Sequence, residues 1–168
     1  MVHDNPMNRV YLRHAYETAM HESQDPHTQV GAILVHDELG IVSTGANKLC
    51  NRIQETPDKL EYPKKKMYME HAERNAIFLA AERGASTRGL TMYCPWFSCL
   101  ECAKAIVQCD IKKVVGHKEL YDLTPERWRE SIKQGHALLK EARVEMEIWS
   151  GKIGNGVSIQ FNGQTFNP

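Results

Sequence analysis

Two short stretches, His71-Ala72-Glu73 and Cys99-Leu100-Glu101-Cys102, put one imidazole, one carboxylate and two thiols in a defined order along the chain. Cys99 and Cys102 flank two residues, the usual spacing for two thiolates on one metal ion. His71 adds a third donor through one neutral ring nitrogen. Three protein donors leave the fourth tetrahedral position to water, as catalytic zinc requires and structural zinc does not. Two thiolates and a neutral imidazole cancel the charge of Zn2+, yet a water in the open position is still acidified, from about 15.7 towards roughly 7. A structural site needs a fourth protein donor. Cys50, Cys94 and Cys109 are the candidates, and each reads instead as an ordinary buried free cysteine.

The local structure follows from the same residues. Apolar Ala103, Ile106 and Val107 come after the cysteines, so Cys99 and Cys102 open a helix, whose N-terminus lowers thiol pKa. Glu73 stands two residues after His71, a spacing that sends side chains to nearly opposite sides of a regular helix. The motif therefore predicts that His71 lies at the very start of a helix. From there Glu73 reaches past the metal towards water and substrate, and serves as general acid and base.

Outward from the motifs, the zinc helix runs from about residue 70 to 83 and stops near Gly84. Residues 90 to 93 form a strand, and 113 to 116 another. Upstream, Asn5-Pro6 starts a helix with Leu12, Ala15, Tyr16, Ala19 and Met20 on one face. Residues 30 to 36 and 41 to 45 read as a hairpin across Asp37-Glu38-Leu39-Gly40. Residues 48 to 69 read as a long loop carrying the run Lys64-Lys65-Lys66, chiefly a solvated face. Downstream, Thr124-Pro125 caps a helix with Trp128, Ile132, Leu138 and Leu139 on its apolar side, and Val144 to Trp149 is a last core strand. Residues 1–150 form one unit and 151–168 a polar C-terminal extension in which Asn162-Gly163 turns a small hairpin. The order αββαβαβαβ predicts an α/β fold, a mixed sheet with helices on both faces.

Composition narrows the function. The 168 residues suit one domain, and 21 basic against 21 acidic residues give no electrostatic grip on long nucleic acid or an anionic membrane. No apolar run reaches membrane-spanning length. Five cysteines, an odd number with two assigned to metal, point to a reducing cytoplasm rather than a disulfide scaffold. The seven histidines other than His71 read as surface or boundary residues. Trp96 and Phe97 sit on the stretch leading into the cysteines and read as pocket wall.

The His-Ala-Glu and Cys-x-x-Cys pair is the known signature of zinc deaminases, and the chain resembles the cytidine and deoxycytidylate deaminase superfamily over about residues 7 to 150. Further segments carry the likeness: Ser23 to Ala32, Thr44-Gly45-Ala46-Asn47, Tyr62-Pro63, Arg74-Asn75-Ala76-Ile77 and Met92-Tyr93. The resemblance implies a cytidine-deaminase-like three-layer α/β/α sandwich with a mixed five-stranded sheet, and homo-oligomers, hexameric in relatives. It implies hydrolysis of dCMP to dUMP and ammonia, supplying dUMP for thymidylate synthesis. The alternatives are deamination of deoxycytidine, dCTP or another base, and a zinc-stabilised binding module without activity. By the same likeness Asn47 bonds the sugar or base, Ala72 offers its backbone N–H to the base, Ser23 lies near the phosphate, and the Ser98 carbonyl receives the substrate amino group. Four positions depart from the family pattern: Ser98 replaces proline, Ala46 and Lys48 replace the tyrosine and second glycine of a regulatory loop, and Glu22 replaces arginine before the serine. The loop changes predict weak or absent dCTP activation. Glu22 is expected to disfavour a phosphate, with Arg52 and the 64–66 lysines as replacement partners.

Overall fold

A computed structural model describes residues 6–168; Asn5, expected as a helix cap, lies outside them. The first half contains α1 (Pro6–Glu22), β1 (Gly31–His36), β2 (Gly40–Ala46), β3 (Lys48–Leu49), α2 (Lys65–Tyr68), β4 (Met69–Glu70) and α3 (Ala72–Glu82). The second contains β5 (Thr91–Tyr93), α4 (Leu100–Gln108), β6 (Lys113–His117), α5 (Lys118–Asp122), α6 (Glu126–Glu141), β7 (Glu145–Trp149), β8 (Ile159–Phe161) and β9 (Gln164–Phe166).

Five strands make one sheet in the order β2-β1-β5-β6-β7. β1 is antiparallel to β2 and β5, while β5, β6 and β7 run parallel. The sheet is mixed, as expected, because one hairpin precedes a series of helical crossovers. Strand alternation splits the core into two layers. Ala32, Leu34, Met92 and Val114 face the side covered by α3, α4 and α6, together with Ala76, Ala103, Ile106 and Leu139. Ile33, Val35, Tyr93 and Val115 face the other side, against Leu12, Ala15 and Tyr16 of α1 and Leu120 of α5.

Three expectations need correction. Residues 48 to 69 are not an open loop. β3 pairs with β4 through Lys48–Glu70 and Leu49–Met69, and the Cys50 N–H donates to the Tyr68 carbonyl at 2.9 Å, closing the excursion at its base. Two-residue strands carry no alternation to read. Thr124 does not cap α6: Pro125 is the N-cap, while the Thr124 hydroxyl donates to the Tyr121 carbonyl and accepts the Trp96 indole N–H at 3.0 Å. Residues 151–168, polar by composition, bury Ile153, Val157, Ile159 and Phe161 in the second core layer, with the β8–β9 hairpin turning at Asn162–Gly163.

α3 is tied tightly to β2. The Ser43 hydroxyl donates to the Ala76 carbonyl at 2.8 Å, and Asn75 Nδ2 donates to the Ala46 carbonyl at 2.8 Å. Gly45 makes this approach available: a Cβ there would stand 2.3 Å from both the Ala72 oxygen and the Ala76 nitrogen. β2 thereby fixes the first turn of α3.

Candidate active site

His71 is the N-cap of α3, with extended backbone, and Cys99 is the N-cap of α4. Two helix N-termini therefore converge, each bringing a metal donor on its first residues. Ser131 of α6 accepts the Leu100 N–H at 3.2 Å and holds the start of α4. Among the described residues, His71, Cys99 and Cys102 form a group of metal donors whose ligand atoms all lie within 4.8 Å of one another. His71 Nδ1 is 3.6 Å from Cys99 Sγ and 3.5 Å from Cys102 Sγ. A tetrahedral Zn2+ with bonds of about 2.3 Å to sulfur and 2.0–2.1 Å to nitrogen requires nitrogen-to-sulfur separations of about 3.5–3.6 Å. The three residues fit the ion.

The thiols are electrostatically prepared. Hydrogen bonds from Cys102 and His71 lower Cys99 to about 3. The neighbouring Cys99 sulfur, reinforced by burial, pushes Cys102 well above the usual thiol range. A metal that takes both sulfurs displaces the protons they hold.

Glu73 follows in the first turn of α3, only 4 % exposed, on the wall of the same cavity. Burial raises its carboxyl above the ordinary range, against the opposing pull of His71. A raised carboxyl suits proton transfer near neutral pH. The Ser98 hydroxyl is buried and lacks a partner of ordinary hydrogen-bond geometry.

The cavity measures about 790 Å³, within the usual range of about 300–1,000 Å³ for small-molecule sites. Ala72, Asn47, Trp96 and Phe97 line it, as expected. Trp96 carries most of the aromatic wall, edge-on to Trp128 at 5.7 Å and to Phe161 at 5.0 Å; Trp128 in turn lies 5.8 Å from the His71 ring. Phe97 is 2 % exposed and packs mainly on Tyr121 and His136.

Other expected contacts are corrected. Ser23 is not on the cavity wall; its hydroxyl donates to Asn47 Oδ1 at 2.7 Å. The Asn47 side chain makes a full set of hydrogen bonds within the protein. Its oxygen accepts from Ser23 and from the Val30 N–H at 2.8 Å, and its nitrogen donates to the Thr28 carbonyl at 2.7 Å and to Asp25 Oδ2 at 3.2 Å. Asn47 therefore ties the 23–30 turn together at the cavity wall. Ser98 is fully buried off the wall, its carbonyl against Gly135 of α6. Arg52 lines a separate surface depression, and Lys64 pairs with Asp58 at 2.6 Å. Glu22 pairs with Lys48 at 3.8 Å, so its charge does not face the cavity. His117, expected near the surface, is fully buried, and His27 lines the cavity.

Further wall residues were not read as substrate contacts from the sequence, apart from Lys65. Asp25, Lys65, Arg74, Arg127 and Asn162 come from five separated stretches. Asp25 is 3 % exposed, ion-paired with Lys65, and accepts the His27 and Thr28 N–H groups at 2.9 and 3.1 Å. The hairpin turn is held from two sides. Gly163 N–H donates to the His27 carbonyl at 2.8 Å, and Arg127 donates to Asn162 Oδ1 at 2.9 Å.

The comparisons agree with this geometry. Residues 6–118 match the family described as the cytidine and deoxycytidylate deaminase zinc-binding region. Mouse deoxycytidylate deaminase is 38 % identical over 109 residues, which cover 59 % of this chain and 58 % of the mouse protein. The chain thus spans a little over half the length of that relative. An uncharacterized deaminase of Aliivibrio fischeri is 33 % identical over 124 residues, covering 74 % of this chain and 81 % of that protein. The crystal structure of dCMP deaminase from cyanophage S-TIM5, in complex with dCMP and dUMP, superposes with a TM-score of 0.67 at 24 % identity, over 87 % of this chain and 98 % of that one. The fold is the deaminase fold, the cofactor is zinc, and the chain belongs to the cytidine and deoxycytidylate deaminase family.

Proposed function

We propose that the protein hydrolyses dCMP to dUMP and ammonia, and so supplies dUMP for thymidylate synthesis. One observation carries the reading: a buried carboxylate that the metal does not need stands beside a three-donor zinc site, on the wall of a cavity of nucleotide size. His71, Cys99 and Cys102 would hold the zinc, and a bound zinc would supply Lewis acidity that lowers the pKa of a water to near neutral. Glu73 takes the proton that water loses on adding to C4 of cytosine and passes it to N3. It then carries the proton of the new C4 hydroxyl to the amino group, so the C4–N bond breaks, ammonia leaves and C4 keeps the oxygen as a carbonyl. The Ala72 N–H faces the base, and Trp96 and Trp128 exclude bulk water beside it. Residues 1–150 hold this chemistry, and 151–168 complete its wall. The unpaired cysteines suit a reducing cytoplasm, and self-association follows the habit of the family.

A substrate panel tests the reading. Ammonia release from dCMP, deoxycytidine, dCTP and a purine base is measured with zinc-replete protein, and dCMP is expected to give the highest kcat/KM. No ammonia from any cytosine form overturns it, and a purine outrunning dCMP transfers the site to another base.

A further inference from the structure

α6 lies beyond residue 118, where the family match ends, yet one face of it meets both halves of the metal site. Trp128, Ser131, Ile132, Gly135 and Leu139 recur at three- and four-residue intervals and so share that face. Ile132 and Leu139 pack in the same core layer as Ala103 and Ile106 of α4. The other three meet the donors and their neighbours. The Trp128 ring stands edge-on to the His71 ring at 5.8 Å. The Ser131 hydroxyl accepts the Leu100 N–H at 3.2 Å. Gly135, one turn on, admits the backbone just before it: a Cβ there would stand 2.9 Å from the Ser98 oxygen and 3.2 Å from the Cys99 carbonyl carbon. The motif itself creates the need for this support. The first N–H groups of a helix find no partner within it, and a hydroxyl or carboxylate on the N-cap residue is the usual remedy. The N-cap of α4 is Cys99, whose sulfur is a metal donor. The hydroxyl comes instead from a different helix.

We propose that Ser131 is a positioning residue of the metal centre: with Gly135 beside it, it fixes the backbone at 98–100, and so sets the place of the Cys99 sulfur and the tightness with which zinc is retained. This rests on the reading that His71, Cys99 and Cys102 hold zinc, and is independent of which base is deaminated. The body of α4 does not need Ser131, because Ala103 and Ile106 already anchor it in the core. Ser131 adds the placement of the first helical residue, one peptide bond from Cys99. Zinc is sensitive to that placement, since its bonds to sulfur stay near about 2.3 Å and its angles near tetrahedral.

Zinc affinity is measured without nucleotide, by competition with a chromophoric chelator, for wild type, Ser131→Ala, Ser131→Thr, Gly135→Ala and Lys133→Ala, the last on the exposed opposite face of α6. Ser131→Ala is expected to weaken zinc binding about tenfold, while Ser131→Thr, which keeps the hydroxyl, stays close to wild type. Gly135→Ala should weaken zinc as well, although alanine suits a helix interior better than glycine. Lys133→Ala should change nothing. The cobalt-substituted proteins report the geometry: the absorption bands of Co2+ should shift in Ser131→Ala and return in Ser131→Thr. Melting of the metal-free proteins separates a merely structural role. A lower melt in Ser131→Ala with wild-type zinc affinity and an unaltered cobalt spectrum overturns the proposal, as does an equal effect of Lys133→Ala. Should Ser131→Ala fail to fold, Gly135→Ala decides, and wild-type zinc affinity there overturns the support from α6. Each of these failures leaves the zinc site and the deaminase reading standing, whereas a wild-type protein that binds no zinc removes the site and the proposal together.

Discussion

In the proposed mechanism Glu73 carries the protons: it is buried, raised by that burial, and not required by the metal. Glutamine keeps its shape and cannot carry the proton. Glu73→Gln should retain zinc by elemental analysis and a wild-type melt, yet lose about 10²–10⁴-fold in turnover with dCMP. Near-normal turnover would remove Glu73 from the mechanism. Asn47→Ala acts elsewhere: it strips four hydrogen bonds from the 23–30 turn. Urea unfolding should show a loss of about 1–3 kcal/mol, with any kinetic change following from the displaced turn. His117 sets the acid side of stability. Its Nδ1 meets the Tyr16 hydroxyl at 2.7 Å and its Nε2 the Gly151 carbonyl at 2.9 Å, so the neutral ring with its proton on Nε2 satisfies both. Burial lowers its pKa, although the Glu119 carboxylate beside Nε2 pulls the other way. A lowered histidine leaves stability whole above its unfolded value of about 6.5 and loses it as pH falls through the folded value. His117→Gln should flatten that limb of a Tm–pH curve; an unchanged limb would assign it to other groups.

At the scale of elements, the contact between β2 and α3 decides where His71 stands. Gly45→Ala would drive a Cβ to 2.3 Å from two backbone atoms of α3. Neither can swing away as a side chain would, so a loss of about 3 kcal/mol or more is expected, together with weaker zinc retention under chelator. A melt within one degree of wild type would show that α3 is free to recede. This contact also shows what was legible beforehand. The zinc donors, Glu73 and both helix starts could be read from the chain, because each motif spans only a few residues and its chemistry is local. The long strands and helices were legible through apolar periodicity. Arg127 and Asn162 were not, since they reach the cavity only after α6 and the C-terminal hairpin have packed. Ser23, Asn47 and Ser98 were placed by likeness, which names positions but not which partners fill their hydrogen bonds. The signal for Arg127-Trp128 was faint: a cation and an aromatic ring on the first turn of a helix begun by Thr124-Pro125.

For the whole molecule, the C-terminal segment belongs to the body. Ile153, Val157, Ile159 and Phe161 are at most 4 % exposed, and each full burial contributes about 1.5–3 kcal/mol. Ending the chain after Trp149 forfeits a sum comparable to a typical total stability of about 5–15 kcal/mol. Circular dichroism should therefore show no cooperative melt for the shortened protein; a sharp wild-type transition would make the hairpin an ornament. The β3–β4 clamp has a different consequence. It ties residues 48–50 to 68–70, so everything between is bounded by one fixed doorway. The intervening stretch contributes Tyr62, Lys65 and Lys66 to the mouth but no strand to the main sheet. A change of length between those two anchors would therefore be absorbed outside the main sheet, leaving the strands and helix starts that carry the metal donors where they stand.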